Sequence, residues 1–72
     1  MEPCKFWDVE YGQAFILNDA LYLKVYVKAG CGSAGLHLAS MEAGKIEGDT
    51  VVQPIDLTIT TEKGEYSLWR KQ

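Results

Sequence analysis

Apolar and polar positions alternate most regularly along residues 14–27 of the chain. A period of two residues is the pattern of a β-strand, and Asn18 and Asp19 interrupt it with residue types that tolerate a tight turn. The sequence therefore predicts a β-hairpin with its turn at Asn18-Asp19. After the turn an aliphatic face, predicted to lie in the core, alternates with a face of tyrosines and lysines: Leu21, Leu23, Val25 and Val27 against Tyr22, Lys24, Tyr26 and Lys28.

Turn-forming residues recur at short intervals along the chain, near residues 18, 30–35, 44, 48 and 54. This spacing is typical of small antiparallel proteins and predicts a mainly β fold, either a small barrel or a curled meander of short strands. Short strands are expected at residues 45–47 and 50–53, with Pro54 ending the second of them. Residues 55–72 are predicted to form a C-terminal hairpin whose turn lies at residues 62–64.

The chain has 72 residues, of which 47% are hydrophobic, and this predicts one folded domain that spans residues 1–72. A domain of this size hides only about 60% of the surface that its unfolded chain exposes. Phe6 and Val9 are expected in its core. Because one small core cannot bury all of the apolar side chains, we expect some of them to cover a neighbouring subunit in a homo-oligomer. Trp69 is a candidate either for such an interface or for a cap on the core.

Ten acidic and seven basic residues give a net charge of −3, which lacks the positive field that non-specific nucleic-acid binding requires. Lys24 and Lys28 lie four residues apart in one predicted strand, and therefore on one face, either as a local basic patch or as two solvated lysines. No apolar run approaches the ~20 residues of a membrane helix, and the N-terminus lacks the pattern of a signal peptide. The sequence predicts a soluble, cytoplasmic protein.

Two cysteines, Cys4 and Cys31, and a single histidine, His37, limit the metal and redox chemistry of the chain. They are too few for a disulfide scaffold or a zinc site, so we expect no metal and no cofactor. Free thiols are the expectation, and a Cys4–Cys31 bridge is the alternative. An enzyme with Cys31 as nucleophile and His37 as base would need an acidic residue that orients the histidine, and the sequence indicates none. The chain is therefore predicted to be non-enzymatic.

Residues 29–35 combine three glycines with small side chains and predict a flexible or tightly turned loop. Residues 30–35 match the G-x-G-x-x-G spacing of dinucleotide-binding loops. We interpret this match as coincidental, since the chain that follows is too short for the βαβ unit that the motif needs. Backbone N–H groups in such a loop can still approach an anion, which makes Gly32 and Ser33 candidate binding residues.

Four motifs follow one another along residues 6–56: Phe6-x-Asp8-Val9-x-x-Gly12-x-x-Phe15, Leu21-Tyr22-x-Lys24, Leu36-x-Leu38 and Gly48-Asp49-Thr50-x-Val52-x-Pro54. They resemble a pattern found in a group of small phage and prophage proteins, and the chain departs from that pattern at residues 40–42 and after residue 56. The resemblance implies a small SH3-like β-domain. It also implies a protein that acts on host machinery in the host cytoplasm, such as an anti-defence inhibitor that binds a host protein or sequesters a nucleotide signal.

Two hypotheses of function follow from these observations. The first is a non-enzymatic binding protein, in which tyrosines anchor a protein partner or stack on bases while lysines and backbone amides meet phosphates. The second is a structural or accessory virion protein that assembles with copies of itself. The candidate binding residues for the first hypothesis are Tyr22, Lys24, Tyr26, Lys28, Gly32, Ser33 and His37.

Overall fold

Antiparallel strands make up most of the computed structural model, which describes residues 2–28, 30 and 32–67. A 3-10 helix spans Phe6–Asp8. The strands are β1 (Cys4–Lys5), β2 (Ala14–Leu17), β3 (Ala20–Val27), β4 (Gly32–His37), β5 (Glu42–Gly44), β6 (Val51–Ile55), β7 (Thr58–Thr61) and β8 (Gly64–Ser67). Six of them form one main sheet in the order β1-β6-β2-β3-β4-β5, and β7 pairs with β8 alone. The predicted mainly β fold is confirmed. Among the described strands β1 and β5 are the two edges of the main sheet and do not pair, so no closed barrel is formed by them.

The predicted hairpin is confirmed as β2 and β3, which are joined at Asn18-Asp19. Both turn residues have positive φ angles, 52° at Asn18 and 63° at Asp19. Two successive left-handed residues are the geometry of the two-residue turn whose twist matches that of paired strands. The turn fixes the register, which places Phe15 opposite Tyr22. The next pair, Ile16 and Leu21, has its side chains on the other side of the sheet.

The hydrophobic core lies on one side of the main sheet, here called the inner face. Phe6, Val9, Phe15 and Val52 are at most 3% exposed and form its centre. The inner face of β3 contributes Tyr22, whose ring stacks on that of Phe15 with centroids 5.4 Å apart. Aromatic side chains therefore form much of the core. Phe6 comes from outside the hairpin, and Tyr22 comes from the face of β3 that carries tyrosines and lysines.

The opposite side of the main sheet, here called the outer face, carries the aliphatic side chains of β3. Leu21, Leu23, Val25 and Val27 are only half-buried and take no part in the core cluster. The prediction that these four side chains form the core is wrong, because Phe6 and Val9 pack on the inner face. On the outer face only the small side chains of Ala14 and Ala34 are fully buried. Cross-strand register and alternation assign the outer face to Ala14, Ile16, Leu21, Leu23, Val25, Val27, Ala34, Leu36, Val51, Gln53 and Ile55.

Three local predictions are corrected by the strand bounds. Residues 32–35 belong to β4 rather than to a loop, because their small side chains fit opposite the larger residues of β3. The three-residue strand lies at Glu42–Gly44, whereas residues 45–47 are irregular. Strand β6 continues through Pro54. Strand β1 pairs only with Val51 and Val52 of β6, so the missing N–H of Pro54 interrupts no hydrogen bond between β6 and β1.

The predicted C-terminal hairpin is confirmed within the described part of the chain as β7 and β8. Gly64 has a φ of 130°, and the Thr61 hydroxyl both donates to the Gly64 carbonyl at 3.0 Å and accepts from the Lys63 N–H at 3.1 Å. All residues of both strands are exposed, and Ile59 faces Tyr66 across the pair. The prediction for Trp69 falls outside the described residues.

Candidate functional site

Lys24 is a buried lysine at the centre of the inner face, with only 5% of its surface exposed. Its Nζ donates to the Val9 carbonyl at 2.7 Å and to the Phe6 carbonyl at 3.2 Å. The ammonium also lies 4.7 Å from the centroid of the Phe6 ring and 5.1 Å from that of Tyr11. Carbonyl dipoles and ring faces therefore compensate for the lost hydration of the charge.

The segment that supplies these carbonyls is held over the inner face by residue 24 itself. The Gly12 N–H donates to the Lys24 carbonyl at 2.8 Å, and the Lys24 N–H donates to the Gln13 carbonyl at 3.0 Å. The backbone of Lys24 thus fixes one end of residues 6–13, while its side chain fixes the other. Gly12 has a φ of 87°, which lets the chain turn into β2 after this contact.

An aromatic cleft of about 500 Å³ opens above Lys24. Trp7 and Tyr11 line it and remain 58% and 52% exposed, so much of their ring surface is open to solvent. The Tyr11 hydroxyl shares a hydrogen bond of 2.6 Å with the Ser33 hydroxyl, which ties one side of the cleft to β4. The other residues that line the cleft are Phe6, Val9, Glu10, Lys45, Ile46 and Gly48.

The charge of the aromatic cleft is positive on balance. Lys24 and Lys45 line it, and the Lys5 ammonium lies 5.0 Å from the centroid of the Trp7 ring. Glu10 is the single carboxylate among the lining residues. Lys24 forms no ion pair with any carboxylate among the described residues. The arrangement suits a ligand that combines a flat apolar part with negative charge.

A second cleft of about 590 Å³ adjoins the first on the same face. Ile46 and Lys45 line both clefts, so they form a shared wall. In the second cleft the His37 ring meets the edge of Tyr22 with centroids 5.1 Å apart, and the Ser40 N–H donates to His37 Nδ1 at 3.2 Å. This cleft is more polar and open than the aromatic cleft.

The predicted binding residues are distributed over both clefts and the adjoining surface. Lys24 and Ser33 line the aromatic cleft, whereas Tyr22 and His37 line the second one. Tyr26 is 64% exposed, and its ring lies edge-on to that of Tyr11 with centroids 5.9 Å apart. The remaining two lie at strand ends: exposed Lys28 follows β3, and Gly32, with a φ of 82°, begins β4.

The structure also corrects the predicted basic patch. Lys24 is buried and bonded to two carbonyls while Lys28 is exposed, so the two lysines form neither an exposed patch nor a solvated pair. Sequence reasoning missed Trp7, Tyr11 and Lys45 as residues of the site. For Trp7 and Tyr11 the available signal was the aromatic composition of the run from Phe6 to Gly12, which has no strand periodicity that would bury those rings.

Cys4 is a free, half-buried thiol beside the core. Burial raises the pKa of the Cys4 thiol, Asp8 raises it further by its negative charge, and Lys24 opposes both effects. Because Cys4 is a free thiol, the alternative of a Cys4–Cys31 bridge is not realised. The pairing of Cys31 with His37 cannot be placed, because Cys31 lies outside the described residues. Nowhere in the described chain do three or more His, Cys, Asp or Glu side chains group around a common point as metal ligands.

Gly48 shapes the wall of the aromatic cleft by its lack of a side chain. A Cβ there would lie 2.7 Å from Trp7 Cε3, although the two backbones are already joined by the Trp7 N–H to Gly48 carbonyl bond of 3.1 Å. We expect Gly48→Ala to displace the indole and to lower the free energy of unfolding by about 1–2 kcal/mol, as overpacking does. Urea denaturation measures this effect.

Gly44→Ala is the matched control for that experiment, because a Cβ at Gly44 meets no atom within 4 Å. We expect it to change stability by less than about 0.5 kcal/mol. Equal losses for both variants would show that the Trp7 contact is not what requires glycine at position 48.

Comparisons with known proteins give no relative. No protein-family model matches the chain, and neither a curated protein nor a solved structure is significantly similar to it. Among the described residues, no helix has the length and apolar character needed to cross a membrane.

Proposed function

We propose that this protein is a non-enzymatic binding protein that holds a nucleotide in the aromatic cleft. The observation that carries the proposal is the buried Lys24 ammonium, which has no carboxylate partner among the described residues and lines a cleft together with the exposed rings of Trp7 and Tyr11. A base can stack on Trp7 or Tyr11, since stacking contributes about 1–3 kcal/mol per base. Phosphate oxygens would meet the charge of Lys45 and Lys24.

The size of the site is consistent with this class of ligand. Small-molecule sites measure about 300–1,000 Å³ and combine apolar walls with a few placed polar groups. The aromatic cleft has about 500 Å³, and the adjoining cleft could take a second base or a ribose next to the shared Lys45. A nucleotide with two bases joined through phosphate would use both clefts, with its phosphate at Lys45.

The resemblance to small phage proteins supports a role inside an infected host cell. We propose a phage-type anti-defence inhibitor that sequesters a nucleotide signal in the host cytoplasm. Binding of a host protein is the competing version of this proposal, in which exposed Trp7, Tyr11 and Tyr26 would be interface anchors instead of stacking platforms. The SH3-like barrel stays a prediction that the same resemblance implies, and the curled-meander barrel stays a prediction from the spacing of the turn residues.

A thermal-shift panel tests the nucleotide proposal. The probes are purine and pyrimidine mononucleotides, cyclic mononucleotides and cyclic dinucleotides, with ribose 5-phosphate and inorganic phosphate as base-free controls. A bound ligand at 100 times its dissociation constant adds about 2.7 kcal/mol of stability. We expect such a shift with at least one nucleotide and none with the base-free probes. No shift with any nucleotide would contradict the proposal and favour a protein partner.

Two aromatic variants locate the site once a nucleotide has been found. We expect Trp7→Ala to weaken its binding by about 1–3 kcal/mol because a stacking surface is lost. Tyr66→Ala is the matched control, since Tyr66 is 54% exposed and lies on the C-terminal hairpin. Titration calorimetry measures both affinities. Equal weakening by the two variants would place the ligand elsewhere than in the aromatic cleft.

A further inference from the structure

Glu10 places a carboxylate at the wall of the aromatic cleft. It is the one acidic residue among the described residues that line the cleft, and it is exposed. Its hydrogen bonds all come from its backbone, and its carboxylate forms no hydrogen bond or ion pair with another described residue. A negative charge repels phosphate, so this carboxylate does not serve to bind the phosphate of a nucleotide.

The backbone of Glu10 is fixed in a turn. The Gln13 N–H donates to the Glu10 carbonyl at 3.0 Å, and the Glu10 N–H donates to the Gln13 side-chain oxygen at 3.2 Å. Gly12, the third residue of this turn, has the positive φ that a type II turn requires there. Gln13 is 5% exposed, and its carbonyl accepts from the Lys24 N–H, which attaches the turn to the main sheet. The backbone of residues 10 and 11 is therefore in place before a ligand binds, which lowers the entropic cost of binding.

The charges of the aromatic cleft give a bound nucleotide a direction. Lys45 lies in the wall shared with the second cleft, whereas Glu10 lines the aromatic cleft alone. A phosphate is attracted by Lys45 and repelled by Glu10, so it takes the shared wall. Glu10 directly precedes Tyr11, one of the two exposed rings on which a base can stack. The Glu10 carboxylate is therefore placed to meet the base of the nucleotide.

Guanine is the common base whose edge fits a carboxylate. An ionised carboxylate only accepts hydrogen bonds, and its two oxygens can accept in parallel from two adjacent N–H groups. Guanine presents such a pair on its Watson–Crick edge, the N1–H and the N2 amino group. Adenine, cytosine and uracil each present a single donor group there, next to an acceptor atom whose lone pair the carboxylate repels.

We propose that Glu10 selects guanine, so that the ligand of the aromatic cleft is a guanine nucleotide; this rests on the nucleotide-binding function proposed above and names its base. We expect GMP to bind about 10- to 100-fold more tightly than AMP, which is the discrimination that one bidentate pair gives. IMP keeps the N1–H but lacks the N2 amino group, so its affinity should lie between those of GMP and AMP.

Titration calorimetry with GMP, dGMP, IMP and AMP, on the wild type and two variants, tests the role of Glu10. Glu10→Gln keeps the size of the side chain but replaces one acceptor by an amide donor. We expect it to weaken GMP binding at least about 10-fold and to leave AMP binding almost unchanged. Glu62→Gln is the matched control, because it makes the same change on an exposed side chain in the turn of the C-terminal hairpin. Circular dichroism checks that both variants are folded.

A guanine preference that Glu10→Gln abolishes and Glu62→Gln preserves supports the proposal. Equal affinities of the wild type for GMP, IMP and AMP overturn guanine selection and leave nucleotide binding intact, whether or not any variant folds. If dGMP alone binds more weakly, guanine selection is overturned in favour of a carboxylate that binds the ribose hydroxyls. A guanine preference that survives Glu10→Gln overturns the role of Glu10. Binding of no nucleotide at all overturns the proposed function and guanine selection together.

Discussion

Replacing Phe15 by alanine is expected to remove about 3–5 kcal/mol of stability, which is the usual cost of deleting a fully buried phenylalanine. Phe15 is 0% exposed, stacks on Tyr22, and meets the Phe6 ring edge-on with centroids 5.5 Å apart. A chain of 72 residues has a total stability of about 4–11 kcal/mol at typical values per residue. The variant should therefore lose a large part of its free energy of unfolding.

Thermal melts followed by circular dichroism measure this loss. At about 4–8 °C per kcal/mol for a small domain, the midpoint should fall by about 12–40 °C. Ile16→Ala is the neighbouring control, since Ile16 is 37% exposed on the outer face and should cost only about 1 kcal/mol at low protein concentration. If Ile16→Ala proved as costly as Phe15→Ala, the assignment of the inner face as the core would be contradicted.

Lys24→Met is expected to destabilise the protein by about 1–3 kcal/mol, although it removes a buried charge. Relief from desolvation favours the variant. Against this, the Val9 carbonyl loses its 2.7 Å bond and the Phe6 and Tyr11 rings lose their cation. A buried acceptor without a donor costs about 1–3 kcal/mol. We expect the lost contacts to outweigh the relief from desolvation, because the Lys24 ammonium is already paired with carbonyl dipoles and a methionine leaves those carbonyls unpaired.

Urea denaturation of Lys24→Met, with Lys63→Met as control, tests this balance. Lys63 is exposed in the turn of the C-terminal hairpin, so its replacement should change stability by less than about 0.5 kcal/mol. The Cys4 thiol gives a second readout: the pKa of Cys4 should rise further once the lowering effect of Lys24 is gone. A Lys24→Met protein as stable as the wild type would mean that the carbonyls and rings do not depend on the ammonium.

Local signals in the sequence were sufficient for the hairpins but not for the choice of the core face. The Asn18-Asp19 turn and the alternation along β3 determine a hairpin with two faces, and both are present in the structure. Alternation does not say which face the rest of the chain covers. Lys24 can lie inward only because the carbonyls of Phe6 and Val9 reach it, and that contact joins residues 15 and 18 positions apart.

The candidate site was predicted less completely than the fold for a similar reason. Ser33, which lines the aromatic cleft, was predicted from the glycine-rich stretch. Trp7 and Lys45 were not, because the segments that carry them have no periodicity and are brought together only by the tertiary fold. Gly48 illustrates the limit: its role depends on the position of the Trp7 ring, which no local pattern encodes.

The anchoring of residues 6–13 by Lys24 has a consequence for folding kinetics. The β2–β3 hairpin closes a two-residue turn, so it can form early, whereas the side-chain bonds of Lys24 close loops of 15 and 18 residues. We expect the hairpin to be formed in the transition state and the Lys24 bonds to follow it. Lys24→Met should then accelerate unfolding and leave the folding rate almost unchanged in stopped-flow experiments. The residue at the floor of the cleft would thus determine how long the cleft, once folded, persists.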